Sequence, residues 1–493
     1  MNYELILEKL RPGQEEIDAV RKTTEKVICF INETCREEGI DAKAYIVGSV
    51  AKKTWLSGKS DIDIFITFPY EEEMDYLKEK GLYLAYKAND HFKGKASEHY
   101  ASHPYLTCDI EGLEIDIVPC YDLSGGKPIK SAVDRTILHT EFIKENLSEE
   151  QEDEVLLLKK FMDAVGTYGS EFKTGGFAGY LCELLILEYG TFENTLRAVQ
   201  NWKFHTMIDL KDFGTANDKI FKEDPLVFID PTDKNRNVGA ALRIEKFVDF
   251  IVASRNFLDI LDDNDLNDGD KEEKLIEFFK PPHKEHLDKS NEEIAKDILE
   301  SFKDRETQTL VIKFPIPEMP ADSLHPQLLK TIKSICEKIE IEEFSVFKYA
   351  YWTDEEKYVI FTIELNVFKQ GKYYIHKGPK VWPKKACDNF KEKWQDALYP
   401  LDDFMVLTRE RPFKTAKDFI VDILENNIHI IKVGKNIKNA ISNEYVLLEI
   451  DEFLNDLDNQ FNYDTSNKTA EELAKDYLNS LDDFLNPGQY IKR

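Results

Sequence analysis

No apolar run in this 493-residue sequence approaches the roughly 18 to 20 residues needed to cross a membrane, so no membrane partner is expected. Cysteine is sparse: Cys29, Cys35, Cys108, Cys120, Cys182, Cys336 and Cys387 are odd in number, scattered, and contain no Cys-x-x-Cys pair. That pattern fits reduced thiols in a cytoplasm, and no structural zinc site is visible in it. The opening residues, MNYELILEKLRPGQEE, carry acids early and lack the charged, apolar, small-residue order of a secretory signal. Internal repeats and low-complexity tracts are also missing. Positive charge is in deficit, with 65 Lys and Arg against 94 Asp and Glu, a formal charge of −29. A chain so acidic has no general affinity for phosphate backbones. The sum leaves room for a local basic groove, because much of the acid sits in LDDNDLNDGDKEE (Leu261 to Glu273) and beyond Glu449.

What is present is ample apolar material, 42% of residues, in a chain long enough for two to four domains. Residues 3 to 38 read as a helix before Pro12 and a longer one from about Gln14 to Glu38. Strands are expected at Ala44–Val47 and Ile62–Phe68 with a short helix between, then at Tyr105–Glu111 and Leu113–Val118 around the Glu111-Gly112 turn. This mixed α/β region ends near residue 145. From Glu150 to about Asp262 the apolar spacing is helical, which predicts an all-helical region, and Leu261–Glu273 then reads as a solvated linker. Farther on, TLVIKF, a helix at Ser323–Ile341, a hairpin in FSVFKYAYWTDEEKYVIFTIELNVF, a helix near Asp388–Leu398, the strand DFMVLTRE and a helix at Thr415–Leu424 make a β-α-β-β-α-β-like succession. The polar, acidic end carries one amphipathic helix, EELAKDYLNSLDDFL.

Two carboxylates, Asp61 and Asp63, interrupt the otherwise apolar strand SDIDIFI. Residues two apart on a strand share a face, so both project together. Such a pair is costly to ionise unless a cation compensates it, and oxygen-only ligands favour a hard ion, Mg²⁺ foremost. Asp116, between Ile115 and Ile117 in EIDIVPCY, supplies a third acid and completes a site for two Mg²⁺ ions and in-line phosphoryl transfer. Upstream, Gly48 lets the backbone turn close to a ligand, and Ser49 adds a hydroxyl donor at a helix start. A lone Gly-Ser or a lone Asp-x-Asp would mark only a turn or a solvated edge. In this order, with a strand acid downstream, they form a device for holding a nucleoside triphosphate and its metals.

The stretch GSVAKKTWLSGKSDIDIFITF resembles the Gly-Ser…Asp-x-Asp motif of the nucleotidyltransferase superfamily built on the DNA polymerase β palm. More narrowly, SEHYASHPY, EIDIVPCY, SAVDRTILHTEFI, YGSEFKTGGFAGYLCELLI, DPTDKNRNVGAAL, FFKPP and HKGPKVWPKKACDNFKEKW are similar to segments of the archaeal-type (class I) CCA-adding enzymes, the tRNA nucleotidyltransferases. The resemblance covers about residues 1 to 445. It implies an α+β multidomain fold: a polymerase β-like palm head (1–149), a helical neck for base recognition (150–262), an α/β body and tail (263–455), and an acidic C-terminal extension (456–493).

It also implies the reaction, addition of C, C and A to the tRNA 3′ end from CTP and ATP without a nucleic-acid template. Asp61, Asp63 and Asp116 would be the catalytic, metal-holding residues. Gly48, Ser49, His103, His139, Lys159 and Tyr168 would stand around the triphosphate, with Arg236 and the backbone at Thr136 reading the base. The partners would be the tRNA acceptor end and the two nucleotides; a homodimer is left open. For tRNA, six lysines against two acids around His376, Lys377, Lys380, Trp382, Lys384 and Lys385 combine phosphate contacts with stacking aromatics. IHIIKVGKNIKNA (Ile428–Ala440) is a second candidate. The rival activity is an oligoadenylate or cyclic-nucleotide synthase of the same superfamily, which would have no reason to carry the later segments.

Overall fold

A computed structural model describes residues 2–100, 103–215, 220–317, 319–395 and 397–491. Ala101 and Ser102 of the SEHYASHPY segment, Asp396 of the helix expected near Asp388–Leu398, and residues 492–493 of the C-terminal segment lie outside them. The chain divides into two compact units, Met1–Pro282 with Gly488–Arg493, and His283–Pro487. Among the described residues, no helix is long and apolar enough to cross a membrane.

The first unit begins with α1 (Glu4–Leu10), α2 (Gln14–Glu38), β1 (Lys43–Val47), α3 (Gly48–Ala51), β2 (Ile62–Phe68), α4 (Met74–Phe92), β3 (Lys95–Tyr100), β4 (Pro104–Ile110) and β5 (Leu113–Tyr121). The strands form one sheet in the order β1-β2-β5-β4-β3, with β2 parallel to β5 and the other pairs antiparallel. Period-2 alternation sorts the side chains of the two central strands. Ile62, Ile64, Ile66, Ile115 and Ile117 are buried in one core with Val20, Val27 and Ile31 of α2 and Leu77 and Leu84 of α4. The opposite set, Phe65 and Val118 with Val47 and Cys120, makes a small separate cluster, and the acids continue that face.

After the sheet come α5 (Arg135–Asn146), α6 (Glu149–Ala164), α7 (Gly179–Tyr189), α8 (Phe192–Val199), β6 (Thr206–Ile208), β7 (Leu226–Asp230), β8 (Asp233–Asn237), α9 (Ile244–Leu261) and α10 (Asp268–Glu277). The helices bury a second core rich in phenylalanine, including Phe161, Phe192, Phe250, Phe257 and Phe278. This region is not helical throughout, as its apolar spacing predicted: β6, β7 and β8 form a three-stranded sheet. Leu226-Val227-Phe228-Ile229 is buried on both faces and turns back at Pro231, which is strand chemistry rather than helix chemistry. The acidic 261–273 stretch is likewise not a bare linker. Asn267 caps α10 by accepting from the Asp270 N–H at 3.0 Å, acids fill the first turn, and Leu275 is fully buried.

The second unit holds α11 (Asn291–Lys303), β9 (Gln308–Pro315), α12 (Ala321–Ile341), β10 (Ser345–Thr353), β11 (Tyr358–Val367), β12 (Tyr373–Lys380), α13 (Lys384–Trp394), β13 (Leu398–Leu401), β14 (Phe404–Glu410), α14 (Ala416–Glu425), α15 (Lys435–Asn443), β15 (Val446–Glu449), α16 (Ile450–Asn455), α17 (Leu457–Gln460) and α18 (Ala470–Leu485). The β-α-β-β-α-β succession is present as β9, α12, β10, β11, α14 and β15, in an antiparallel sheet of order β10-β11-β9-β15. Its closing strand is Val446–Glu449. DFMVLTRE (β14) and α13 belong instead to an inserted three-stranded sheet of order β12-β14-β13. The amphipathic helix expected in the acidic C-terminal segment is α18. Its Leu473, Tyr477, Leu478 and Leu481 pack with Val311, Trp352 and Ile360 of the four-stranded sheet and Ile294 and Ile298 of α11.

Candidate active site

The parallel register of β2 and β5 sets Asp63 directly opposite Asp116, on neighbouring strands about 4.8 Å apart. Asp61 lies two residues before Asp63, exposed, just ahead of the strand. Burial and the facing Asp116 push Asp63 up to about 7, with Asp61 adding to the rise and Lys52 opposing it. Burial also raises Asp116, while a 2.5 Å hydrogen bond from the Thr107 hydroxyl and nearby His99 pull the other way. Gly48 closes the side of this group. Its φ is +73°, and a Cβ there would fall 1.9 Å from Asp63 Oδ2, so only glycine fits.

An oxygen-only donor set, crowded until it resists ionisation and pressed against bare backbone, suits hard divalent cations. Between about pH 4 and 7 the folded chain keeps a proton on Asp63 that the unfolded chain has lost, so metal-free stability falls as pH rises through that window. A cation bound at Asp63 would expel the same proton. Calorimetry is expected to find Mg²⁺ or Mn²⁺ bound about tenfold more tightly at pH 8 than at pH 6, with proton release at the lower pH.

The other residues expected around the triphosphate fall into distinct settings. Ser49 is half-buried within the four-residue α3, and the Gly48 N–H donates to Thr140 Oγ1 at 3.2 Å. Lys159 is only 3% exposed; its ammonium donates to the Thr54 carbonyl at 2.7 Å and lies 3.5 Å from Glu183 Oε1. Glu183 also takes Lys52 at 2.6 Å and the Thr54 hydroxyl at 2.6 Å, so two lysines share one fully buried carboxylate. Burial lowers the Lys159 pKa against the pull of Glu183. Tyr168 stands at the same place, its hydroxyl 3.1 Å and the Lys159 Nζ 3.6 Å from where a Cβ on Gly179 would lie. Burial raises its phenol strongly.

A second carboxylate joins His139, a candidate for the triphosphate, to Arg236, a candidate for the base. Asp230, fully buried at the end of β7, accepts from His139 Nε2–H at 2.9 Å, from Arg236 at 2.8 Å and from the Thr232 amide and hydroxyl. The His139 ring stacks on Tyr180 at 3.9 Å, and Tyr180 also donates to Asp230. Burial outweighs the carboxylate at His139 and keeps the imidazole neutral. Asp230 stays ionised, because its donors overcome the burial that would raise it. Thr136 comes to the same helix, α5, with its N–H already given to Val133 and its carbonyl taken by the Thr140 hydroxyl at 2.8 Å. His103 is buried at 1% exposure, and burial lowers its pKa against the pull of nearby backbone and of Asp134.

In the second unit, the tRNA candidates do not share one face. On β12, Lys377 is exposed, lying 3.7 Å over the Phe404 ring, whereas His376 turns to the other side, where Phe390 and Trp394 of α13 pack on it. Lys380 is paired with Asp403 at 2.7 Å. Lys384 and Lys385 are exposed at the start of α13, and Trp382 is 76% exposed beside them. In the second candidate segment, Ile437 is buried in the core beneath α15.

Glu183, Asp230, Lys52 and Thr107 escaped the reading of the sequence. The first two carried a signal, an acid inside an apolar run: LCELL in α7 and LVFID in β7.

Three family models match the chain: the nucleotidyltransferase domain over residues 28–139, the second domain of tRNA nucleotidyltransferase over 153–264, and the C-terminal domain of the CCA-adding enzyme over 305–449. The CCA-adding enzyme of Methanothermobacter thermautotrophicus is 39% identical over 492 residues, 100% of this chain and 99% of that protein. Those of Methanosarcina barkeri and Methanocaldococcus jannaschii are 34% and 35% identical, covering 90% and 87% of this chain and 92% of each relative. With its palm-like sheet, its facing aspartates and this full-length similarity, the chain belongs to the family of archaeal CCA-adding enzymes.

Proposed function

We propose that this protein adds C, C and A in turn to the 3′ end of tRNA, using CTP and ATP and releasing pyrophosphate. The observation that carries the reading is the Asp63–Asp116 pair, held in register on a parallel strand pair with Asp61 close enough to act on both, in a chain so closely related to enzymes named for that addition. Nucleotidyltransferases of this superfamily use divalent metal ions; here Asp61, Asp63 and Asp116 would hold them, and we take them to be two Mg²⁺. Bound there, the ions would offset triphosphate charge and make the tRNA 3′-hydroxyl a better nucleophile.

The protein's own residues mainly position. Gly48 keeps backbone close to the carboxylates, and Ser49 offers a hydroxyl to the phosphates. Asp230 orients both the neutral His139 ring and the Arg236 guanidinium, whose rigid fork of donors suits acceptors shared by cytosine and adenine edges. Lys159 and Tyr168 would stand on the phosphate side; both Lys159 and Lys52 are held by Glu183, and of the two it is Lys52 whose charge acts on Asp63. No covalent enzyme intermediate is required, because alignment and charge neutralisation supply the rate. Trp382, Lys384 and Lys385, the most open of the tRNA candidates, are the first choice for contact with the RNA.

The test is a primer-extension assay with tRNA lacking its 3′ CCA. CTP alone should add two residues, and CTP with ATP three. Extension of free nucleotide in place of tRNA would identify the signalling rival instead. Because the protein is acidic overall and its basic residues are clustered, tRNA affinity should fall steeply with salt, by about tenfold or more between 50 and 200 mM. A flat salt profile in a filter-binding titration would remove the lysine cluster from the interface.

A further inference from the structure

The second unit starts at His283, and its first turn is chemically unlike a chain crossing. His283 has a left-handed backbone, φ +52°, and caps a short 3₁₀ turn over Lys284–His286. Side chains three apart eclipse in that geometry, and the His283 and His286 rings are accordingly stacked 5.5 Å apart at 17°. Facing them on α18 are Asn479, Asp482 and Asp483, spaced three and four apart on one side of the helix. His283 Nδ1 lies 3.2 Å from Asp482 Oδ2 and its Nε2 lies 3.4 Å from Asp483 Oδ2; His286 Nδ1–H donates to Asn479 Oδ1 at 2.8 Å. One ligand atom each from His283, His286 and Asp482 falls within 4.8 Å of the other two.

We propose that His283, His286 and Asp482 form a structural site for a borderline divalent transition cation of the Zn²⁺ class, separate from the oxygen-only carboxylates of the palm-like sheet. Two imidazoles and one carboxylate are a usual donor set for that class, with the remaining position open to water. The surroundings match as well. A metal-bound histidine characteristically gives its other N–H to an outer acceptor, which fixes the tautomer. Asn479 fills that role for His286 Nδ1–H, leaving Nε2 for the metal; Asp483 fills it for His283 Nε2–H, leaving Nδ1 beside Asp482. All three ligands are largely sheltered, with His286 at 7% exposure and His283 and Asp482 side chains at 11% and 13%. Metal bonds of about 2.0–2.1 Å place tetrahedral ligand atoms about 3.4 Å apart, so side-chain shifts of roughly 1 Å close the cluster.

Without a cation the cluster has a competing occupant, a proton. Burial opposes a charge on His283, but Asp482 and Asp483 prevail and raise its pKa to about 9. A cation takes that proton's place and draws the second imidazole in, which a proton cannot do. The ligands are far apart in sequence, His283 and Asp482 being 199 positions apart. A cation held there therefore pins α18 to the first turn of its unit, where closing a long loop constrains the unfolded chain most.

The experiment uses the full chain, stripped with EDTA and then supplied with excess Mg²⁺ to occupy the palm carboxylates, and titrated with Co²⁺. The expected result is one equivalent of Co²⁺ with the intense visible absorption of four-coordinate nitrogen–oxygen ligation, displaced by Zn²⁺ and accompanied by proton release at pH 7. His286→Gln and Asp482→Asn should each weaken binding by about a hundredfold, and Asp483→Asn by about tenfold through the outer contact alone. Zn²⁺ at a hundredfold excess over its dissociation constant should raise the melting temperature of wild-type protein by roughly 5–10 °C and leave Asp482→Asn unmoved. Nucleotide addition in Mg²⁺ should be unchanged in all three variants, which also verifies that they fold. Weak, six-coordinate absorption, or equal Co²⁺ binding by wild type and both ligand variants, would overturn the proposal and leave an imidazolium–carboxylate clasp.

Discussion

Asp63→Asn should cut nucleotide incorporation by about a thousandfold or more and at the same time make the metal-free protein more stable. The two effects share one cause. Asp63 sits in the β2–β5 register directly across from Asp116, and burial with that neighbour holds its pKa near 7. At pH 8 the folded chain must therefore ionise a group that resists it, at a cost on the order of 4 kcal/mol. Asparagine removes the charge without changing the shape, so a melting curve in EDTA should move up. The same change would remove a proposed cation ligand from the place where charge must be gathered in the transition state, and losses of that kind are typically a hundredfold to a thousandfold or more. Asp116→Asn should behave alike, since its amide oxygen can still accept from Thr107. Asp116→Ala should lose activity but gain less stability, because the Thr107 hydroxyl forfeits its 2.5 Å hydrogen bond. Single-turnover extension of tRNA gives the rate. Activity of Asp63→Asn above a tenth of wild type would show that this carboxylate holds no essential cation.

The alternation that exposed Asp61, Asp63 and Asp116 was legible because a strand has a period of two, and an acid between isoleucines breaks it visibly. Their meeting was not legible. β2 reaches β5 only after α4, β3 and β4, and parallel pairing across such a crossover depends on how the whole sheet closes on α2 and α4. The β-α-β-β-α-β succession is legible locally, yet order alone points to DFMVLTRE as its last strand, where the structure has Val446–Glu449. An insertion resembles continuation when only order is visible, and Val446–Glu449 is short. Leu226–Ile229 blends into a helical region in the sequence because a four-residue apolar run fits either period. The functional site divides the same way. Motif residues on one element were found, while the buried acids that organise them, Glu183 and Asp230, show their partners only when α7 and β7 come beside α3 and α5.

Glu183→Ala is the substitution expected to cost the most stability. The carboxylate is fully buried and accepts from Lys52 and Thr54, with Lys159 3.5 Å away; the lysines are 7% and 3% exposed. Desolvating two ammonium groups is tolerable only while this one anion lies between them. Its removal leaves two buried like charges, and the loss should be about 3–5 kcal/mol, or on the order of 10 °C in melting temperature. The alternative is a plain packing defect from a smaller side chain, and a second substitution separates the two. If unpaired charge is the cause, Lys159→Met in the Glu183→Ala background should restore part of the loss, since one buried cation is gone and a methionine fills the lysine's volume. If packing is the cause, the two changes should simply add. The double variant also reaches the chemistry. Lys52, released from Glu183, is the positive charge that tempers Asp63, so freeing it to lean toward the carboxylates should lower the Asp63 pKa and flatten the difference in cation affinity between pH 6 and pH 8. A pH dependence identical to wild type would mean that Lys52 is held in place by the turn after α3 alone and that Glu183 acts only on the fold.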